Sequence, residues 1–171
     1  MYDKSKFPQR KHHKLKDYDY SLPGYYYITI CVSDGKNILS RVGQGLAPAE
    51  TVVQLTDIGA LAEEQLFELN KRFSYVRIDK YIIMPNHIHL IVELIGDPIK
   101  CTEISRPDLY EIIGTYKSIT TRICNKNFNT PGRKLFQTSF YESVIKSEQG
   151  YYEAYQYIDG NPARWIEKYG C

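Results

Sequence analysis

Apolar and polar residues alternate with period two in several segments of the chain, which is the pattern of half-buried β-strands. The clearest segment reads YYYITICVS; it follows a Leu-Pro-Gly turn signal and ends at Asp34-Gly35. A tight Pro85-Asn86 turn joins two further alternating segments into a hairpin. The predicted strands are residues 25–33, 75–84, 87–94 and 140–147, with a further short strand within 37–42 or 50–55.

Three segments instead carry apolar residues at helical spacing. The predicted helices are residues 57–71, 108–124 and 148–159, and Gly160-Asn161-Pro162 stops the last one. Hairpins mixed with helices in this order favour an α+β fold, with a ferredoxin-like or RRM-like antiparallel sheet and helices mainly on one face. A doubly wound parallel sheet fits this order less well.

The composition is that of an ordinary globular protein. Of 171 residues, 43% are hydrophobic and 25% charged, which is enough for one domain over residues 1–171 and excludes intrinsic disorder. Residues 1–20 are expected to form a basic arm, and residues 148–171 a C-terminal helix and tail. No segment has the roughly 18–20 apolar residues of a membrane span. The four cysteines lie far apart, so we expect a cytoplasmic protein with reduced thiols.

The net charge of +2 hides a segregation of charge. Residues 1–17 contain six basic residues and two acids, and residues 112–141 contain five basic residues and no acid. Such clusters can neutralise phosphates, although a solvated surface explains them equally simply. The chain also has 16 tyrosines against six phenylalanines, and tyrosine rings suit surfaces that stack bases.

The segment YIIMPNHIHLIVEL contains the first candidate chemistry. In a strand, His87 and His89 project from one face while Ile88 and Leu90 project from the other. Two neighbouring neutral imidazoles are a good start for a divalent metal site. Two histidines on a half-exposed strand face can also be without function, so the pair alone does not establish a metal site.

Tyr116 is the candidate nucleophile. It lies on the apolar stripe of the predicted helix 108–124, which should pack toward the sheet, so we expect its hydroxyl to reach the histidines. A phenol can form a covalent intermediate where metal or cations stabilise its oxyanion. The alternative is a core tyrosine.

Four separated segments resemble one family. MPNHIHLIV (84–92) looks like the HUH motif, His-hydrophobic-His, of single-tyrosine transposases. The segments YDYSLPGYYYITI, IIGTYKSITTR and YIDGNPARW are similar to the branch called REP-associated tyrosine transposases. The resemblance spans nearly the whole chain, in the right order.

The resemblance implies an enzyme that nicks and rejoins single-stranded or hairpin DNA. By it, His87 and His89 hold Mg²⁺ or Mn²⁺ and Tyr116 forms a 5′-phosphotyrosine. Some relatives take a third metal ligand from a Gln one helical turn after the tyrosine; Thr120 occupies that position here, so the third ligand stays open. The expected phosphate contacts are Arg10, Lys11, Lys117, Arg122, Lys126, Arg133 and Lys134. A monomer and a homodimer both remain open.

Two other functions fit the same residues. A binding module of this fold would hold nucleic acid without cleaving it. Another phosphoesterase would attack with water or a histidine and leave no protein–DNA adduct. A histidine-triad hydrolase would need H-x-H-x-H, and residue 91 is Ile.

Overall fold

The computed structural model describes residues 17–45, 51–96 and 106–170. The strands in this part of the chain are β1 (Gly24–Cys31), β2 (Ser40–Gln44), β3 (Thr51–Leu55), β4 (Val76–Ile83), β5 (His87–Leu94) and β6 (Tyr141–Ile145). The helices are α1 (Asp57–Arg72), α2 (Leu109–Asn127), α3 (Glu148–Asp159) and α4 (Asn161–Tyr169).

Four strands form one antiparallel sheet in the order β4-β5-β1-β6. The elements β1-α1-β4-β5-α2-β6 therefore follow the ferredoxin-like arrangement, in which each helix links strands that are not neighbours in the sheet. The predicted α+β class, antiparallel sheet and ferredoxin-like order are confirmed.

The two central strands, β1 and β5, have one fully apolar face. Ile28 pairs with Leu90 and Ile30 with Ile88, and all four side chains are buried beneath α1 and α2. The same alternation determines which residues lie on the opposite face of the sheet, here called the second face. Thr29 pairs with His89 and Cys31 with His87 on that second face, because successive side chains of a strand point to opposite sides.

Helix α1 is docked onto the backbone that precedes β2. The Thr56 hydroxyl caps the helix by accepting from the Gly59 amide at 3.1 Å and donates to the Ile38 carbonyl oxygen at 2.6 Å. A Cβ at Gly59 would lie 1.9 Å from the Leu39 carbonyl oxygen, so only glycine permits this close approach. Helix α2 begins with a capping box between Asp108 and Glu111.

The arrangement of the C-terminal helices differs from the expectation that helices lie mainly on one face. Helix α3 crosses the second face of the sheet, over β4, β5 and β6. Gly160-Asn161-Pro162 does end α3, but a new helix begins at once, because proline is favoured in the first turn of a helix. Helix α4 then packs against the β2–β3 hairpin.

The single short strand expected within 37–42 or 50–55 is two strands. β2 and β3 pair antiparallel as a separate two-stranded sheet.

The predicted basic arm lies almost wholly outside the described residues, and Arg10 and Lys11 lie outside them too. No helix in the part of the chain that is described is long and apolar enough to cross a membrane.

Candidate active site

The two histidines of β5 lie side by side on the second face of the sheet. Their ring centres are 4.5 Å apart and the ring planes are steeply inclined to each other. Helices α3 and α4 wall the pair, with Tyr157 beside His89 and Trp165 beside His87. The two histidines thus place the nitrogens of two imidazole rings next to each other, where both could bind one metal ion.

Hydroxyl groups on β1 hold the ring of His89. Its Nδ1 lies 2.7 Å from the Tyr27 hydroxyl and 2.8 Å from Thr29 Oγ1. Both partners come from the neighbouring strand, since Thr29 is directly opposite His89. When Nδ1 donates its proton to one of these oxygens, the lone pair stands on Nε2, which is the usual arrangement in a metal-binding histidine.

His87 is oriented by its own turn and by α4. Its Nδ1 donates to Asn86 Oδ1 at 2.7 Å, because an amide oxygen can only accept. Neutral His87 therefore also has its lone pair on Nε2. A second hydrogen bond joins His87 to the side chain of Asn161, a buried residue in the first turn of α4.

Both imidazoles are neutral at physiological pH. Burial lowers the pKa of His87 from the ordinary 6.5 to about 4, against the opposing effect of the Asn161 hydrogen bond. Burial also lowers the pKa of His89 to about 3, helped by the charges of His87 and Arg164. Neutral imidazole is the form that binds a metal ion.

Tyr157 lies against His89 with a half-exposed side chain. Its ring centre is 5.4 Å from that of His89, and 46% of the residue is exposed. The guanidinium of Arg164 lies 4.4 Å from the centre of the same ring, and its Nη2 donates to the Tyr157 carbonyl oxygen. An exposed phenol and a cation thus lie beside two largely buried, neutral imidazoles.

The sequence-based expectation that the Tyr116 hydroxyl reaches the histidines is wrong. Tyr116 is 1% exposed and lies among core residues on the α1–α2 side of the sheet. Its hydroxyl donates to the Ala62 carbonyl oxygen of α1 at 3.1 Å, and burial raises its pKa. Thr120, one turn later, donates to the Tyr116 carbonyl oxygen at 2.7 Å and is equally buried. The whole sheet separates these two residues from His87 and His89.

Sequence reasoning did not identify Tyr157 as a candidate site residue. The available signal was its position in YIDGNPARW, where Asn161 follows by four residues. Residues four apart lie on one face of a helix, and the chain keeps helical dihedrals through Gly160, so Tyr157 and Asn161 both face the histidine pair. Tyr157 and Asn161 reach the histidines only because α3 packs on the second face of the sheet. The pattern of apolar and polar residues did not predict that packing.

Several of the predicted basic residues line one groove of the protein. Lys117, Arg122 and Lys134 line an open groove of about 700 Å³ between α2 and residues 132–138. Lys117 is tied to that segment, since its Nζ donates to the Thr138 carbonyl oxygen at 2.7 Å. Arg133 and Lys134 line a smaller adjoining hollow, and Lys126 is exposed in the last turn of α2.

The donor set around the histidines fits a divalent cation in part. Among residues 17–45, 51–96 and 106–170, no cluster of three His, Cys, Asp or Glu side chains exists that could hold a metal. Two neutral imidazoles do exist, together with the buried amide of Asn161 bonded to one of them. Two nitrogens, one amide oxygen and water are an acceptable set for Mn²⁺ and, with more water, for Mg²⁺.

No protein-family model matches the sequence. An uncharacterised protein of Haemophilus influenzae is 28% identical over 169 residues, which cover 91% of this chain and 89% of that protein. This relative has nearly the same length, and its description indicates no activity.

Two solved structures share the fold. A REP-associated tyrosine transposase bound to a REP hairpin matches with a TM-score of 0.61 and 16% identity, covering 94% of this chain and 76% of that one. A candidate transposase from Deinococcus radiodurans matches with a TM-score of 0.50 and 15% identity, covering 81% and 91%. The resemblance found in the sequence is confirmed for the fold, which is that of the REP-associated tyrosine transposases.

Proposed function

We propose that the protein is a metal-dependent HUH single-tyrosine transposase or nuclease, which cuts and rejoins single-stranded or hairpin DNA with Tyr157 as its nucleophile. The observation that carries this proposal is the exposed Tyr157 ring, 5.4 Å from His89 and stacked on Arg164. Tyr116 is not proposed as the nucleophile, because its hydroxyl is buried on the other side of the sheet.

In the proposed reaction, the phenol oxygen of Tyr157 attacks the phosphorus of a DNA phosphodiester and gives its proton to solvent. The P–O3′ bond breaks, and the upstream strand leaves with a 3′-hydroxyl that takes up a proton. The downstream strand stays bound as a 5′-phosphotyrosine. Since the phosphodiester energy is conserved in that bond, attack by another 3′-hydroxyl reseals the DNA.

Three side chains are proposed to bind the divalent cation: His87 and His89 through Nε2, and Asn161 through its amide oxygen. Because His87 Nδ1 donates to Asn86, the hydrogen bond between His87 and Asn161 involves Nε2, and the cation would replace that bond. When bound, Mg²⁺ or Mn²⁺ supplies polarisation of a phosphoryl oxygen. The chain's own contribution is orientation. Asn86, Tyr27 and Thr29 fix the two imidazole rings, and Arg164 fixes the tyrosine. Asn161 takes the role first considered for Thr120, because it follows the accessible tyrosine by one helical turn.

The proposed partner is DNA with single-stranded or hairpin character. The transposase that shares this fold was solved bound to a REP hairpin. In this chain the groove lined by Lys117, Arg122 and Lys134 offers clustered positive charge for backbone phosphates. Arg133 lines the adjoining hollow, and Lys126 lies in the last turn of α2. Arg10 and Lys11 remain proposed phosphate contacts outside the described residues.

The decisive experiment uses hairpin oligonucleotides with single-stranded flanks, labelled at either end, incubated with purified protein and Mn²⁺. We expect a denaturing gel to show label retained on protein, and we expect EDTA and Tyr157→Phe to abolish it. Tyr116→Phe and Tyr152→Phe are the matched controls, one buried and one exposed on α3. Both should keep the adduct.

Other results would indicate a different function or a different nucleophile. DNA binding without any adduct would indicate a binding module of the same fold. A free nick without an adduct would indicate hydrolysis by activated water. An adduct that survives in Tyr157→Phe and disappears in Tyr116→Phe would contradict the proposed nucleophile.

A further inference from the structure

An open cavity of about 590 Å³ adjoins the proposed active site. We call it the α3 cavity. Its floor is the second face of the sheet, with Tyr27 and Ser143 among the floor residues, and His89 and Tyr157 stand at one end. Its wall is α3, and it opens beside β6, the edge strand of the sheet. A chain of single-stranded DNA bound at Tyr157 would therefore pass this opening.

Small residues on α3 create the space. Gly150 and Ala154 face the sheet, one helical turn apart, at positions where a helix that packs on a sheet normally places large apolar side chains. A Cβ at Gly150 would lie 3.4 Å from Ser147 Oγ and 3.9 Å from Ile145 Cγ2, which are ordinary contacts. The site would therefore accept a larger residue, and neither backbone geometry nor crowding requires the glycine.

The lining is suited to a nucleobase rather than to a phosphate. Tyr27 and Tyr157 offer aromatic surface, Ile145 offers an apolar one, and Ser143 and Glu153 offer hydrogen-bonding groups. The Glu153 carboxylate repels phosphate but accepts hydrogen bonds from the amino group of a base. Glu153 Oε1 already accepts from Gln149 Nε2 at 2.9 Å, and a carboxylate has lone pairs for further donors.

A cation stands at the same opening. Lys146 lines the α3 cavity and also a neighbouring hollow in which Tyr25, Tyr151 and Tyr152 lie. The two spaces share Ile145, Lys146 and Ser147, so they lie side by side at the edge of the sheet. This arrangement places a cavity large enough for a base beside His89, with the positive charge of Lys146 at its lining for the connecting phosphate.

We propose that the α3 cavity receives the base of one of the two nucleotides that flank the scissile phosphate, and that Glu153 selects bases with an exocyclic amino group over thymine. This inference rests on the proposed function and adds to it the residue that determines sequence preference at the cut. Adenine, cytosine and guanine carry such an amino group and thymine does not.

The test is a set of hairpin substrates in which each flanking nucleotide in turn is A, C, G, T or an abasic sugar. With the full-length protein and Mn²⁺, single-turnover adduct formation at one flanking position should be about tenfold slower for thymine and for the abasic sugar. Glu153→Gln should remove the discrimination against thymine. Glu64→Gln, the same change on exposed α1, should leave it intact.

A cavity-filling variant gives an independent readout. Ala154→Leu should lose most of its adduct formation on substrates with a base at the selected position and react best with the abasic substrate. Its melting temperature reports whether it is folded, and Gly150→Ala provides a smaller filling of the same space. Ala154→Leu that keeps the wild-type preference would overturn the inference.

The outcomes separate the inference from the proposed function. If the wild-type protein forms adducts at equal rates on all five substrates at both positions, the α3 cavity does not read a base and the transposase chemistry stands. If no substrate gives an adduct at all, the proposed function itself fails, and the inference fails with it.

Discussion

Arg164 and Tyr157 are joined twice: the guanidinium carbon lies 4.4 Å from the centre of the Tyr157 ring, and Nη2 donates to the Tyr157 carbonyl oxygen. The two contacts fix the ring of an otherwise exposed side chain across the junction between α3 and α4. The charge of Arg164 also acts on His89, whose pKa it helps to lower. Arg164 is therefore a positioning residue of the proposed active site.

Replacing Arg164 with Met keeps an apolar stem but removes both contacts. We expect the single-turnover rate of adduct formation to fall about tenfold, the size of one cation–π contact in a partly desolvated site, with DNA affinity little changed. Arg164→Lys should recover part of the rate. The matched control is Lys168→Met on the same helix, which should react like the wild type. A rate unchanged in Arg164→Met would contradict the positioning role.

Asn161 is expected to contribute to metal binding. Asn161→Ala should weaken Mn²⁺ binding about tenfold or more, as measured by electron paramagnetic resonance of the free ion, because one oxygen donor is lost. Thr120→Ala should leave the affinity unchanged, since Thr120 is buried with Tyr116 on the other side of the sheet. Equal affinity in the wild type and Asn161→Ala would remove the residue from the metal site.

The buried histidines make stability depend on pH. Because the folded pKa values of about 4 and about 3 lie below the ordinary 6.5, the unfolded chain binds more protons between these limits. The neutral histidines therefore contribute their full stabilisation above about pH 6.5. Below that pH the free energy of unfolding falls, by about 1 to 2 kcal/mol per histidine between pH 7 and pH 5. Urea unfolding in EDTA measures it.

Replacing both histidines checks the assignment of that pH dependence. The double variant His87→Asn, His89→Asn should show a much flatter profile of unfolding free energy between pH 7 and pH 5. A profile as steep as that of the wild type would place the responsible groups elsewhere.

Two glycine substitutions should have opposite effects on stability. Gly59→Ala places a Cβ against the Leu39 carbonyl oxygen, so we expect a loss of about 2 to 3 kcal/mol in the free energy of unfolding. Gly114→Ala, in the middle of α2 with nothing within 4 Å of the new Cβ, should add about 0.5 to 1 kcal/mol. Chemical denaturation compares the two, and a stable Gly59→Ala would contradict the docking of α1.

The basic groove on α2 should contribute salt-dependent affinity. Arg122→Gln with Lys134→Gln should weaken hairpin binding and reduce the slope of log affinity against log salt by about one for each charge removed. The control removes the same charge from the end of α1, as Lys71→Gln with Arg72→Gln, which do not line the groove. An unchanged slope in the groove variant would place the DNA elsewhere.

The sequence predicted the parts of the fold that depend on local pattern. Alternation identified β1, β5 and their buried face, and helical spacing identified α1, α2 and α3. It also put His87 and His89 on one face, because two residues apart in a strand always share a face.

The sequence did not predict the features that depend on tertiary packing. An apolar stripe on α2 is compatible with either an active-site tyrosine or a core one, and burial against Ala62 makes Tyr116 a core residue. Tyr157 is half exposed on a helix that is not strongly apolar, so its pattern resembled that of a surface residue. Only the crossing of α3 over the second face of the sheet brings it to His89.

Mass spectrometry of the protein–DNA adduct tests the central claim most directly. After digestion with nuclease and trypsin, the peptide that spans residues 147–164 contains four tyrosines, and fragmentation distinguishes among them. We expect the added nucleotide phosphate on Tyr157. A phosphate on Tyr116, on another tyrosine of α3, or on no tyrosine would contradict the account.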